Sequence, residues 1–93
     1  MNAIYKYELK GDTLQTVLLP ADSIVLSVVE QHEKIVMYAI VDVQQNDIEE
    51  IEFLLLCTGQ TFNYVFDDYT FLNTVKLSDG DVMAHVFVEK WRG

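Results

Sequence analysis

Apolar and polar residues alternate with a period of two along most of this chain, which is the mark of half-buried strands. In "AIYKYEL", Tyr5, Tyr7 and Leu9 fall on one face and Ile4, Lys6 and Glu8 on the other. Gly11-Asp12 supplies a turn before "LQTVLLP", and Pro20 closes that short strand. "SIVLSVVE" is apolar on both faces, with Ile24, Leu26 and Val28 on one side and Val25 and Val29 on the other. It reads as a central strand covered from both sides. "QHEK" predicts a hairpin turn into "KIVMYAIVDV", the most strand-like stretch of all.

The next segment, "IEEIEFLLLC", fits two periods. Ile48, Ile51, Leu54 and Leu55 would line a helix, with Asp47 as its N-cap and Glu49 and Glu50 in its first turn. Phe53, Leu55 and Cys57 instead extend an alternating register from Ile51, and the strand reading is preferred. After Thr58-Gly59, "YTFLNTVKL" sets Tyr69, Phe71 and Val75 against Thr70, Leu72, Thr74 and Lys76. "SDGD" is a turn. "VMAHVFVEKW" closes the chain as a strand, with Val82, Ala84, Val86 and Val88 on one face and Met83, His85, Phe87 and Trp91 on the other. The expected fold is all-β, with at most one short helix: a small antiparallel sandwich or barrel of about seven strands, in a single domain over residues 1–93.

Composition narrows the function classes. Hydrophobic residues make up 51% of the chain, enough for a packed core. The longest apolar run, Phe53 to Cys57, is far short of the roughly 20 residues of a spanning helix. "MNAIYKYELKG" does not have the form of a signal peptide, so an intracellular protein with no membrane partner is expected. Fifteen acidic against six basic side chains give a net charge of −9. Direct nucleic-acid binding is disfavoured, because that affinity comes largely from lysine and arginine neutralising phosphates. The lone Cys57 at the end of "FLLLC" reads as a small buried hydrophobe.

Catalytic and metal signatures are missing from the sequence. His32 falls in a turn and His85 in the last strand, and there is no cysteine pair at zinc spacing. Ser23, Ser27 and Ser78 sit in no nucleophile elbow, and the glycines at 11, 59, 80 and 93 make no phosphate loop. Adjacent carboxylates such as Asp67-Asp68 point to opposite faces of a strand. No enzyme, no cofactor and no metal site is expected.

Two stretches invite a binding role. Asp42, Asp47, Glu49, Glu50 and Glu52 lie in one segment without a basic residue. On a strand Glu50 and Glu52 share a face about 6.6 Å apart. Such a row suits a basic groove in another protein. It also suits a plain solvated face, or an edge protected by charge. Tyr64, Phe66, Tyr69 and Phe71 cluster with Asp67 and Asp68, as contact hot spots do and as small β cores do.

Six segments occur in a familiar order: "IYKYEL", "LLPADSIVLSV", "MYAIVD", "CTGQ", "FLNTV" and "AHVFVEK". Together they resemble a family of small uncharacterised proteins encoded mainly by tailed bacteriophages and prophages. Its members open on Trp/Tyr-Lys-Tyr, carry a Gly-Thr-Gly-His turn and a Tyr-Ile-Gly-Thr segment, and end on His-Val-Phe. Cys57 and Gln60 depart from that turn, and Asn73 stands where the family has a glycine. The resemblance implies an accessory protein of the host bacterial cytoplasm and assigns no catalytic residue.

The resulting expectation is a non-enzymatic binding module, an inhibitor of a host defence protein such as a CRISPR effector or restriction enzyme. Asp42, Asp47, Glu49, Glu50, Glu52, Asp67, Asp68, Tyr64 and Phe66 would meet a basic surface of a host bacterial protein. The alternatives are an oligomeric sponge that holds a small signalling ligand in a pocket lined by aromatics and the Thr58-Gly59 turn, with Lys6, Lys34, Lys76 or Arg92 converging on it, and a structural or assembly role in the virion. A homodimer is expected from the apolar two-sided strands.

Overall fold

The computed structural model describes residues 1–90; Trp91 and Arg92, to which the sequence assigns a face and a cationic role, lie outside the described residues. Seven strands follow one another: β1 (Asn2–Leu9), β2 (Leu14–Pro20), β3 (Ile24–Gln31), β4 (Lys34–Asp42), β5 (Ile48–Cys57), β6 (Tyr69–Leu77) and β7 (Val82–Glu89). The only helical turns among the described residues are short 3-10 pieces at Phe66–Asp68 and Ser78–Gly80. Every pairing is antiparallel. The strands form two sheets, β1-β4-β3 and β2-β5-β7-β6. The shortest Cα extent is 16 Å, as expected for two layers stacked about 10 Å apart.

The strand reading of Ile48–Cys57 holds, and the helical alternative does not. β5 is hydrogen-bonded to β2 on one side and to β7 on the other. Its inward side chains Ile51, Phe53 and Leu55 join Leu19, Val28, Met37, Val41 and Val86 in the single core between the sheets. The expected hairpin at "QHEK" is a two-residue turn in which His32 and Glu33 both have positive φ, 54° and 66°. That left-handed pair matches the right-handed twist of β3 and β4.

Two strands differ from their simple alternation. β3 is an edge, not a centre, and a bulge between Val25 and Ser27 shifts its register. Val25 and Val28 therefore share the inner face, while Ile24, Leu26 and Val29 are exposed. In β6 a second bulge between Phe71 and Asn73 sends Tyr69 and Phe71 outward but Val75 into the core. One extra residue reverses every side chain beyond it. Cys57, expected to be buried, is exposed: β5 ends there and the chain turns away from the core.

Candidate functional site

The predicted acidic residues divide among several surfaces. Asp42 ends β4 on the outer face of the β1-β4-β3 sheet. Its carboxylate accepts the Gln44 backbone N–H at 3.0 Å and lies 3.5 Å from the Met1 amine. The Gln44 hydrogen bond first, and then the amine, hold its pKa below the ordinary carboxylate range. Asp47 lies in the connection before β5, where its carbonyl accepts the Ala21 N–H at 2.9 Å. Asp67 and Asp68 sit in the 3-10 turn, and the Asp68 carbonyl accepts the Lys90 N–H at 2.9 Å.

β5 splits its own carboxylates. Glu49 has the inward parity of Ile51, and it accepts the backbone N–H of Asp22 at 2.6 Å. That contact steadies a residue held at φ 66°, in the left-handed region. Glu50 and Glu52 point to the outer face of the β2-β5-β7-β6 sheet, as two residues of one strand face must. Glu52 accepts the Tyr69 hydroxyl, and its own backbone N–H donates to the Glu89 carboxylate at 3.1 Å.

The Glu52 hydrogen bond first, then burial, push the Tyr69 phenol up from 10.0 to about 12. Folding therefore holds this proton more tightly than the unfolded chain does. The contribution is complete below pH 10 and is lost as pH rises through about 12. Tyr69→Phe should remove that part of the alkaline decline and lower stability at neutral pH by about 1–2 kcal/mol. Urea unfolding of both proteins at neutral and at alkaline pH checks this.

Where β3, β5 and β6 begin and β7 ends, the sheets part. The β5–β7 ladder runs only from Phe53 and Val88 to Cys57 and Ala84. Beyond it the first half of β5 is paired through β2 alone among the described residues. The opening is a cleft of about 790 Å³. Val25, Ile51, Leu72 and Val88 form its apolar floor; Asp22, Glu49, Glu50 and Glu89 stand around it with Lys90. Two connections build this mouth, the turn at Ala21–Ser23 and the loop at Asp47, and the Ala21–Asp47 hydrogen bond ties them together.

A family model described as a domain of unknown function (DUF7352) matches residues 1–92. The chain belongs to the DUF7352 family. Comparisons with curated proteins and with solved structures give no match. The DUF7352 chain thus shows its chemistry through its own side chains. Among its described residues, no group of three histidine, cysteine or acidic side chains is placed to hold a metal ion. His85, half-buried on the outer face, has both ring nitrogens beside hydroxyls, Thr58 at 2.8 Å and Thr74 at 2.9 Å. A neutral imidazole donates to one hydroxyl and accepts from the other, which accounts for its polar atoms.

The departures from the resembled phage pattern have structural work in this DUF7352 chain. Gln60 closes the turn on itself, accepting the Cys57 N–H at 3.0 Å and donating to Thr13 at 3.1 Å. Gly59, at φ 89°, supplies the conformation that this turn needs. Asn73, aimed across by the β6 bulge, donates to the Val28 carbonyl at 3.0 Å and so links the edges of the two sheets.

The aromatics are neither buried core nor isolated. Phe66 packs on Phe62 and Phe87, with centroids 5.1 and 5.4 Å away, and Phe71 packs on Phe87 at 5.4 Å. The connection from Thr58 to Asp68 thus folds back over the outer face of the four-stranded sheet. This explains why Leu54 and Leu56, which face outward, are buried. Phe62, Phe66 and Phe71 stay about half exposed, and Tyr64 is half-buried.

Sequence reasoning found Glu49 and Glu50 but not Asp22, Glu89 or the apolar floor. No local signal marks these, because four strand ends meet there only in the folded chain. The aromatics and the Thr58-Gly59 turn, expected to line any ligand pocket, contribute nothing to this cleft. Lys6 and Lys34 are engaged elsewhere, with Gln31 and Glu8.

Proposed function

We propose that this protein is a non-catalytic binding module that seats a basic, amphipathic segment of a partner protein in the cleft between its sheets. One observation carries the reading: an apolar floor of Val25, Ile51, Leu72 and Val88 beneath a rim of Asp22, Glu49, Glu50 and Glu89. An apolar side chain flanked by lysine or arginine fits both parts, the floor by burial and the rim by charge. The net charge of −9 adds attraction at longer range.

The finer reading is that the chain is a phage product working in the host cytoplasm, where it inhibits a nucleic-acid-handling defence protein. Its support is the acidity together with the resemblance in segment order. Basic surfaces that normally hold phosphates are the natural counterpart of a carboxylate rim. The cleft volume also favours a second reading, a sponge for a small ligand, since about 790 Å³ lies within the usual range of small-molecule sites. The rim would then select an amine and reject a phosphate.

The test is affinity capture from a bacterial lysate with the wild-type chain and an E49Q/E50K control. Glu49→Gln keeps an acceptor for the Asp22 N–H, and Glu50 is exposed, so the fold should survive both changes. A basic partner retained by wild type and lost by the control, and rebinding as a purified protein, supports the reading. Equal retention by both sinks it. Retention of a small amine by native mass spectrometry, with no protein partner, favours the sponge.

A further inference from the structure

We propose that the outer face of the β1-β4-β3 sheet is the interface of a homodimer, two copies meeting face to face about a two-fold axis. This inference does not rest on the cleft reading, although Ile24 at one end of the face also borders the cleft. The outward residues of an antiparallel sheet that faces water are ordinarily polar. Here the register puts Ile4, Ile40 and Ile24 side by side across all three strands. The next rows are Lys6, Tyr38 and Ser27, then Glu8, Val36 and Val29. Ile4 is 62% exposed and Ile24 57%, and Leu26 and Val29 extend the patch along β3. The opposite sheet has the same problem and solves part of it within the chain, with the aromatic connection over Leu54 and Leu56, while Leu14 and Leu18 at its β2 edge stay exposed. No described segment covers the isoleucine row.

Charge selects the occupant. Copies carrying −9 each repel one another on most approaches. This face is the exception: Lys6, Lys34 and the Met1 amine stand against Glu8 and Asp42, three positive groups to two negative. A basic partner gains nothing here, whereas a second copy meets a face whose charges nearly cancel. The charges also complement one another under two-fold symmetry. An axis lying across the strands at Ile40 stacks the isoleucine row on itself. It sets the Lys6–Tyr38 row of one copy over the Asn2–Asp42 row of the other, so that Lys6 lies over Asn2 and one strand spacing, about 4.8 Å, to the side of the second copy's Asp42. Such an isologous contact closes at two copies.

Sedimentation equilibrium over a concentration series tests this. The wild-type mass should rise to twice 10.7 kDa. Ile4→Lys and Ile24→Lys, both at exposed positions, should each weaken association at least tenfold with unchanged circular dichroism. Lys6→Glu removes no apolar contact and should weaken it several-fold, which keeps the idea testable if an isoleucine variant fails to fold. Added salt should strengthen the dimer by screening the mutual repulsion. A chain that stays at 10.7 kDa up to millimolar concentration overturns the proposal. So does a dimer that these substitutions leave intact, or one that salt dissolves.

Discussion

Phe53→Ala should cost about 3–5 kcal/mol, the largest loss expected from any single truncation in this chain. Phe53 has no exposed surface and is the largest of the fully buried side chains. It occupies an inner strand of the four-stranded sheet, opposite Gln15 on β2 and Val88 on β7. Neighbours on both sheets surround it, so no single side chain can swing in to fill the void. A domain this small has roughly 5–15 kcal/mol of stability in total. The variant should therefore melt more than about 12 °C lower, from about 4–8 °C per kcal/mol at this size. Phe71→Ala is the control, since that ring is 53% exposed and rests mainly on Phe87. It should cost less than half as much. Calorimetry or urea titration of the three proteins decides the point, and similar losses for both variants would mean that the core is misassigned.

The second large effect concerns the cleft. For a purified basic partner, E49Q/E50K should weaken binding at least tenfold, which corresponds to about 1.4 kcal/mol. Reversing a rim charge replaces an attraction by a repulsion of similar size, and it acts on association rate before anything else. Salt should act in the same direction. Raising ionic strength from 0.1 to 1 M shrinks the screening length from about 10 to about 3 Å, which removes most of the rim's pull. Isothermal titration at both ionic strengths measures this. Capture that resists both salt and the substitution would place the contact on the aromatic surface around Phe66 instead of in the cleft.

Much of this fold is legible in the sequence, and the failures have a common cause. Period-two alternation marks β1, β4, β5 and β7 and gives the correct inner faces for Tyr7, Leu9, Phe53, Leu55, Ala84 and Val86. The hairpin at His32-Glu33 and the turn at Thr58-Gly59 are readable from polar breaks between apolar runs. The bulges near Leu26 and Leu72 are not, because neither position carries a glycine or a proline to announce an extra residue. Each bulge reverses the faces that follow it, and β3, an edge, reads as central because its outer face also carries the apolar Ile24, Leu26 and Val29. Cys57 fails differently: its neighbours are apolar, but the strand has left the core by that point.

The candidate site is less legible than the fold. Glu49 and Glu50 can be picked out as part of an acidic stretch, but a strand sends them to opposite faces, which a run of letters conceals. Asp22 and Glu89 lie far from them in sequence and reach the same mouth only because β5 begins beside the end of β7. A cleft made of strand ends has no motif.

The order of the strands sets the order in which the molecule can form. Among the described residues β1 finds its only partner in β4 and β2 in β5, so β1 makes no sheet until the chain has passed Asp42, and β2 none until β5 has followed. Only the β3–β4 and β6–β7 hairpins are local. Closing the remaining loops must precede most of the burial that rewards them, which puts folding in the millisecond-to-second range typical of β sandwiches. During synthesis the N-terminal strands wait unpaired while β4 and β5 emerge. Tyr5, Tyr7 and Leu9 are among the side chains they hold out to other molecules in that interval.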